Sequence, residues 1–124
     1  MEKDGKQFHI IDFSDHMYHW FERFHFFNKY FFFEMRQKHL SYSDKSFALL
    51  NDKKLYMNRK ILPHYLTEVS KHNLLVKKYE LYEVNPIIYN KRVHNDILKD
   101  ISIENWSEDE MNCVSASLIL CKNN

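Results

Sequence analysis

Between positions 17 and 35 the apolar residues Met17, Trp20, Phe21, Phe24, Phe27, Phe31, Phe32 and Met35 recur at steps of three and four, the period of one helical face. Ser14 can cap such a helix, and Asp15 suits the positive end of its dipole. The spacing predicts a helix over 14–38, about 36 Å long. Phe26, Tyr30 and Phe33 fall on its other sides, so its second half is apolar nearly all round. A helix of that kind is central to a core or shared with a second subunit. In a chain of 124 residues the remainder can hardly enclose it, which favours a homodimer. Residues 1–13 precede it as an N-terminal arm. The arm begins polar and ends in Phe8, Ile10, Ile11 and Phe13, so it can dock a short extended piece onto the body.

Further along, the pattern predicts a short helix over 45–51 with Phe47, Ala48, Leu49 and Leu50 as its apolar content. Asp52-Lys53-Lys54 follows as a turn, and Leu55-Tyr56-Met57 is either a short strand or the entry to the next helix. Proline is tolerated only in a first helical turn, so that helix starts at Leu62 or Pro63 and runs to His72. Asn73 then serves as a left-handed cap in place of glycine. Leu62, Tyr65, Leu66 and Val69 face inward, and His64, Thr67, Glu68 and Lys71 face outward. Residues 74–89 are rich in β-branched and aromatic side chains, and Asn85-Pro86 marks a strand end. Two short strands, 75–78 and 80–84, are predicted there, bending at Lys78-Tyr79. A short helix over 95–100 buries Ile97, Leu98 and Ile101. Ser107 and Glu110 form a capping box, and Trp106 and Met111 a hydrophobic staple. The stripe Met111, Val114, Leu118 and Cys121 extends this start into a C-terminal helix, giving an element over 107–121.

Composition narrows the function classes. Gly5 is the single glycine. A P-loop, a dinucleotide-binding turn or a glycine-hinged lid needs more, so nucleotide-binding enzymes of those kinds are excluded. A sandwich of many tight hairpins is disfavoured for the same reason. The net charge of +1 conceals a segregation: −1 over residues 1–52, +6 over 53–99 and −4 over 100–124. Such a basic middle is expected where one segment faces a polyanion. Cys113 and Cys121, on one predicted helix, would stand about 12 Å apart and could not bridge. Unbridged thiols and the lack of a secretion signal point to a cytoplasmic protein. The most apolar stretch, 24–35, is interrupted by His25, Asn28, Lys29 and Glu34, so no membrane span is expected.

The order helix, turn, helix, two strands over 45–89 is that of a winged helix-turn-helix. The fold expected is therefore mainly α with a small two- or three-stranded antiparallel sheet, in one domain, dimeric through the first and last helices. In that arrangement the second helix of the pair enters the major groove of double-stranded DNA. Phosphate contacts are expected from Lys53, Lys54, Arg59, Lys60, Lys77 and Lys78, with Asn58 as a phosphate-clamping entry to the helix. His64, Thr67 and Lys71 are the candidates to reach base edges. Glu68 on the same face either reads cytosine amino groups or opposes docking. Among eight histidines, His16, His19 and His25 do not converge as metal ligands, so no metal or cofactor is expected. No nucleophile or carboxylate pair can be assigned to a cleft, and no enzymatic activity is expected.

The run Val69-Ser70-Lys71-His72-Asn73-Leu74-Leu75-Val76-Lys77-Lys78-Tyr79-Glu80-Leu81-Tyr82-Glu83-Val84-Asn85-Pro86-Ile87-Ile88-Tyr89 resembles the end of the recognition helix and the wing of winged-helix proteins from Gram-positive plasmids and phages. Replication proteins of the RepL type show a similar pattern over about a sixth of this chain. The resemblance departs in having no glycine in the wing and no small turn residue near Asp52. It implies a DNA binder of a mobile element, acting in replication, conjugation, partition or transcription control, with a protein of such a complex as a further partner. The alternative of another class is a helical interaction protein, such as a phage-encoded host inhibitor acting through its aromatic first helix.

Overall fold

The computed structural model describes residues 5–14, 29–50 and 58–123, the side chains of 29–32 excepted. Its frame is a three-stranded antiparallel sheet of β1 (Lys6–Asp12), β2 (Leu74–Val84) and β3 (Cys113–Lys122), in the order β1-β3-β2. Around it stand α1 (Lys29–Arg36), α2 (Asp44–Leu50), α3 (Leu62–Lys71) and three single-turn helices, α4 (Tyr89–Arg92), α5 (Asn95–Leu98) and α6 (Glu108–Met111). Two short 3₁₀ turns, Lys38–Ser41 and Ile103–Asn105, complete the described elements. This is a mixed α/β architecture, and the mainly α expectation is corrected by the sheet at its centre.

The largest correction falls at the C-terminus. The capping box forms as predicted, with the Ser107 hydroxyl accepting the Glu110 N–H at 3.2 Å and Glu110 Oε2 accepting the Ser107 N–H at 2.7 Å. The helix it starts lasts one turn, and from Cys113 the chain becomes the central strand. Val114, Ala116, Leu118 and Leu120 lie on one face and alternate with Ser115, Ser117, Ile119 and Cys121, the period of two that suits an antiparallel strand covered on one face. Val114, Ala116, Leu118 and Leu120 are at most 2% exposed. Met111, Val114, Leu118 and Cys121 also satisfy a helical stripe, and the pairing with β1 and β2 decides for the strand.

The predicted hairpin over 75–84 is also absent, because β2 is one strand of eleven residues paired with β3 along its length. Lys77, just before the bend predicted at Lys78-Tyr79, is a bulge residue: Val76 lies opposite Leu120, Lys78 opposite Ile119, and Lys77 opposite nothing. The bulge absorbs locally what was read as a reversal. β2 does stop at Asn85-Pro86, as the sequence indicates. The N-terminal arm docks as an extended piece and becomes the edge strand β1.

One face of the sheet carries the main core. Leu62, Leu66 and Val69 of α3 pack with Ala116, Leu118 and Leu120, flanked by Ile11, Leu74, Val76 and Leu81. These are the inward positions predicted for that helix, joined by the half-buried Tyr65. A second cluster of Leu40, Ile61, Val93, Ile97 and Met111 sits among the short helices. Asn73 closes α3 in the left-handed region at φ 57°, as its sequence position suggests.

Of the predicted 14–38 helix, the structure describes α1; residues 15–28 lie outside the described residues, as do the predicted turn Asp52-Lys53-Lys54 and the segment Leu55-Tyr56-Met57. The ends of the predicted span do not stand 36 Å apart. Gln37 Nε2 donates to Phe13 O at 3.4 Å and to Cys113 O at 3.2 Å, so the chain is back at the sheet at the point where it left. Asn85 completes this buried joint by donating to Phe33 O at 3.0 Å and to Gln37 Oε1 at 3.3 Å. Beside it, Arg92 is 8% exposed and donates to Ile87 O at 2.9 Å and Asn112 Oδ1 at 3.1 Å. Burial lowers its pKa to about 10, which leaves it charged at neutral pH.

Candidate nucleic-acid interface

The outer side of α3 forms one wall of a groove of about 540 Å³. Asn58, Lys60, His64, Tyr65, Thr67, Glu68, Lys71 and Asp100 line it. The helix has this side free because its apolar residues at steps of three and four are spent on the sheet. Asn58, Lys60, His64, Thr67 and Lys71, all singled out from the sequence, therefore come together.

Each has its own local setting. Asn58 Oδ1 accepts the Lys60 N–H at 2.8 Å, an Asx turn that shapes the approach to the helix. His64 stands at the third helical position, where its Nδ1 accepts the Ile61 N–H at 3.3 Å and satisfies a donor that the first turn leaves over. Burial first, and then the nearby Lys60, hold its pKa below the ordinary histidine value. The neutral ring offers hydrogen bonding and no charge. Thr67 returns its hydroxyl to Pro63 O at 2.8 Å. Lys71 and His72 both reach Glu68, at 3.3 and 3.1 Å, and hold its carboxyl below the usual range. These contacts are exposed and exchange readily for others.

Other predicted contacts are not brought here. The Arg59 side chain is 11% exposed: Nη1 donates to Asp44 at 2.9 Å, Nη2 donates to Tyr42 O, and the guanidinium lies over Phe47 at 4.7 Å. It ties Tyr42 and α2 to the chain that leads into α3. Asp44 is bridged in turn by Lys99 at 2.9 Å, which draws its pKa down. Lys78 shares a sheet face with Ile119, opposite to the face that α3 covers, and pairs with Glu80. Lys77 is exposed on the bulge of the edge strand β2.

Tyr65 and Asp100 are groove residues that the sequence reading missed as such. Tyr65 had been assigned inward, which is half true. Asp100 carries no local signal, since the chain order places it 29 residues past Lys71. A small neighbouring cleft shares Lys60, His64 and Asp100 with the groove and adds Asp44, Arg59, Asp96 and Lys99. Among the described residues, no group of three His, Cys, Asp or Glu could hold a metal, and no helix is long and apolar enough to cross a membrane.

Cys113 and Cys121 are both free. Lying on one strand and not one helix, they are about 26 Å apart. Burial pushes the Cys113 thiol up to about 12, so it is no nucleophile at neutral pH. Comparison with protein-family models, curated proteins and solved structures finds no match for this chain.

Proposed function

We propose that the protein binds double-stranded DNA through the outer side of α3 and the groove beside it. The observation that carries this reading is the convergence of Asn58, Lys60, His64, Thr67 and Lys71 on one surface. Lys60 and Lys71 supply the charge that displaces counterions from phosphate, and the neutral His64 and Thr67 supply polar groups for base edges. Glu68 suits a cytosine amino group once its contacts with Lys71 and His72 are exchanged. The role in replication, conjugation, partition or transcription control of a mobile element draws on the resemblance over 69–89. A cytoplasmic location belongs to the same reading and is supported by the two free thiols.

The test is fluorescence anisotropy with a pool of mixed-sequence duplexes, from about 50 to about 200 mM salt. Affinity should fall steeply, and Lys60→Ala and Lys71→Ala should each reduce the log–log salt slope by about one. No binding at the lowest salt would defeat the reading.

A further inference from the structure

β1 is an edge strand with a self-complementary outer pattern. Its partner is β3 on one side, and the sheet order puts no described strand on the other. Side chains alternate along it, so Lys6, Phe8, Ile10 and Asp12 share the face that α3 does not cover. Phe8 is 63% and Ile10 69% exposed. An edge of this kind pairs readily with another strand unless something blunts it. Read in one direction the four outward residues run basic, apolar, apolar, acidic; read in the other they run acidic, apolar, apolar, basic. A twofold axis turns one order into the other.

We propose that two copies of this chain associate edge to edge through β1, antiparallel about a twofold axis at His9, joining the two sheets into one of six strands. In this register Lys6 of each copy lies opposite Asp12 of the other, and Phe8 opposite Ile10. Backbone parity agrees with the register. The Phe13 N–H donates to Val114 O at 2.7 Å, and the ladder from Lys6 to Asp12 runs without a bulge. Hydrogen-bonding sides alternate along a strand, so the odd-numbered residues are spent on β3 and the even-numbered ones point their N–H and C=O groups outward. The register pairs even positions with even positions, which is what outward-facing groups require. The contact assigns the expected homodimer to a strand edge, because the last helix once expected to share the interface is the central strand of the sheet. It does not rest on the DNA reading.

The full chain should sediment as a concentration-dependent dimer of micromolar affinity, typical of a small interface. Lys6→Asp places two carboxylates opposite each other twice per dimer and should weaken association tenfold or more. Asp12→Lys should do the same from the other side. The double exchange Lys6→Asp with Asp12→Lys should restore the wild-type dimer. Circular dichroism and the unfolding midpoint of each variant separate lost pairing from lost folding, and Phe8→Glu, at an exposed position on the face away from α3, gives a second dissociated form. A wild-type chain that is monomeric at about 100 µM, or a double exchange that fails to restore dimers while folded, would overturn the proposal.

Discussion

At Asn73 the backbone turns from α3 into β2 with φ at 57°, a conformation that asparagine accepts at lower cost than residues with an ordinary Cβ environment. Asn73→Ala should therefore cost about 1 kcal/mol in chemical denaturation, whereas Asn73→Gly should stay within a few tenths. His64 gives a second check, on pH. Unfolded, its imidazole titrates near 6.5; folded, burial and Lys60 hold it lower. The unfolded chain thus binds the proton more readily, so this contribution is complete above about 6.5 and is lost as the pH falls towards the folded value. Thermal unfolding between neutral pH and about 5 should show the slope, and His64→Gln, which can still accept the Ile61 N–H, should flatten it. Asn73 was legible in the sequence because its role is local, whereas His64 was read as an outward-facing residue, without its bond to Ile61 or its burial. Arg59 was not legible: its charge marked it for phosphate, but whether a charge meets solvent depends on Asp44, Tyr42 and Phe47, which only folding brings to it.

Among elements, the joint around Gln37 shows what a buried amide can hold. Gln37 is 1% exposed and links the end of α1 to the start of β3 and to Asn85. Gln37→Leu keeps the size of the side chain but strands the carbonyls of Phe13 and Cys113 and one donor of Asn85. It should lower stability by about 1–3 kcal/mol, measured by urea unfolding. Leu118→Ala, at a position 0% exposed in the central strand, should cost more, about 2–5 kcal/mol. Elements that announce themselves by caps and one-sided stripes were read correctly, as in α3 and the Ser107 capping box. β3 was not, because Met111, Val114, Leu118 and Cys121 also fit a helical stripe behind the capping box, and that reading overrode the alternation of Val114, Ala116 and Leu118 with Ser115 and Ser117. The bend read at Lys78-Tyr79 is not there: both residues pair with β3, and the irregularity is a bulge at Lys77.

For the molecule as a whole, the sheet decides which charges can act together. Lys60 and Lys71 share the groove beside α3, whereas Lys78 lies on the other face of the sheet. Lys78→Ala should accordingly leave duplex binding within about twofold of wild type in the anisotropy assay that registers Lys60→Ala and Lys71→Ala. Equal losses from all three would show that the duplex does not engage the α3 side alone. The basic middle of the chain is thus divided between surfaces that the linear charge count had merged. Periodicity, the position of Pro63 and the Asn73 cap were enough to establish where α3 starts and stops and which way it faces. Those properties depend on neighbours within a few residues. The strand order, the central place of the C-terminal segment, the internal use of Arg59 and the separation of Lys78 from Lys71 depend on contacts between positions far apart in sequence. Hydrophobic burial can satisfy a short apolar run as helix or as strand, and the choice belongs to the partners that fold against it.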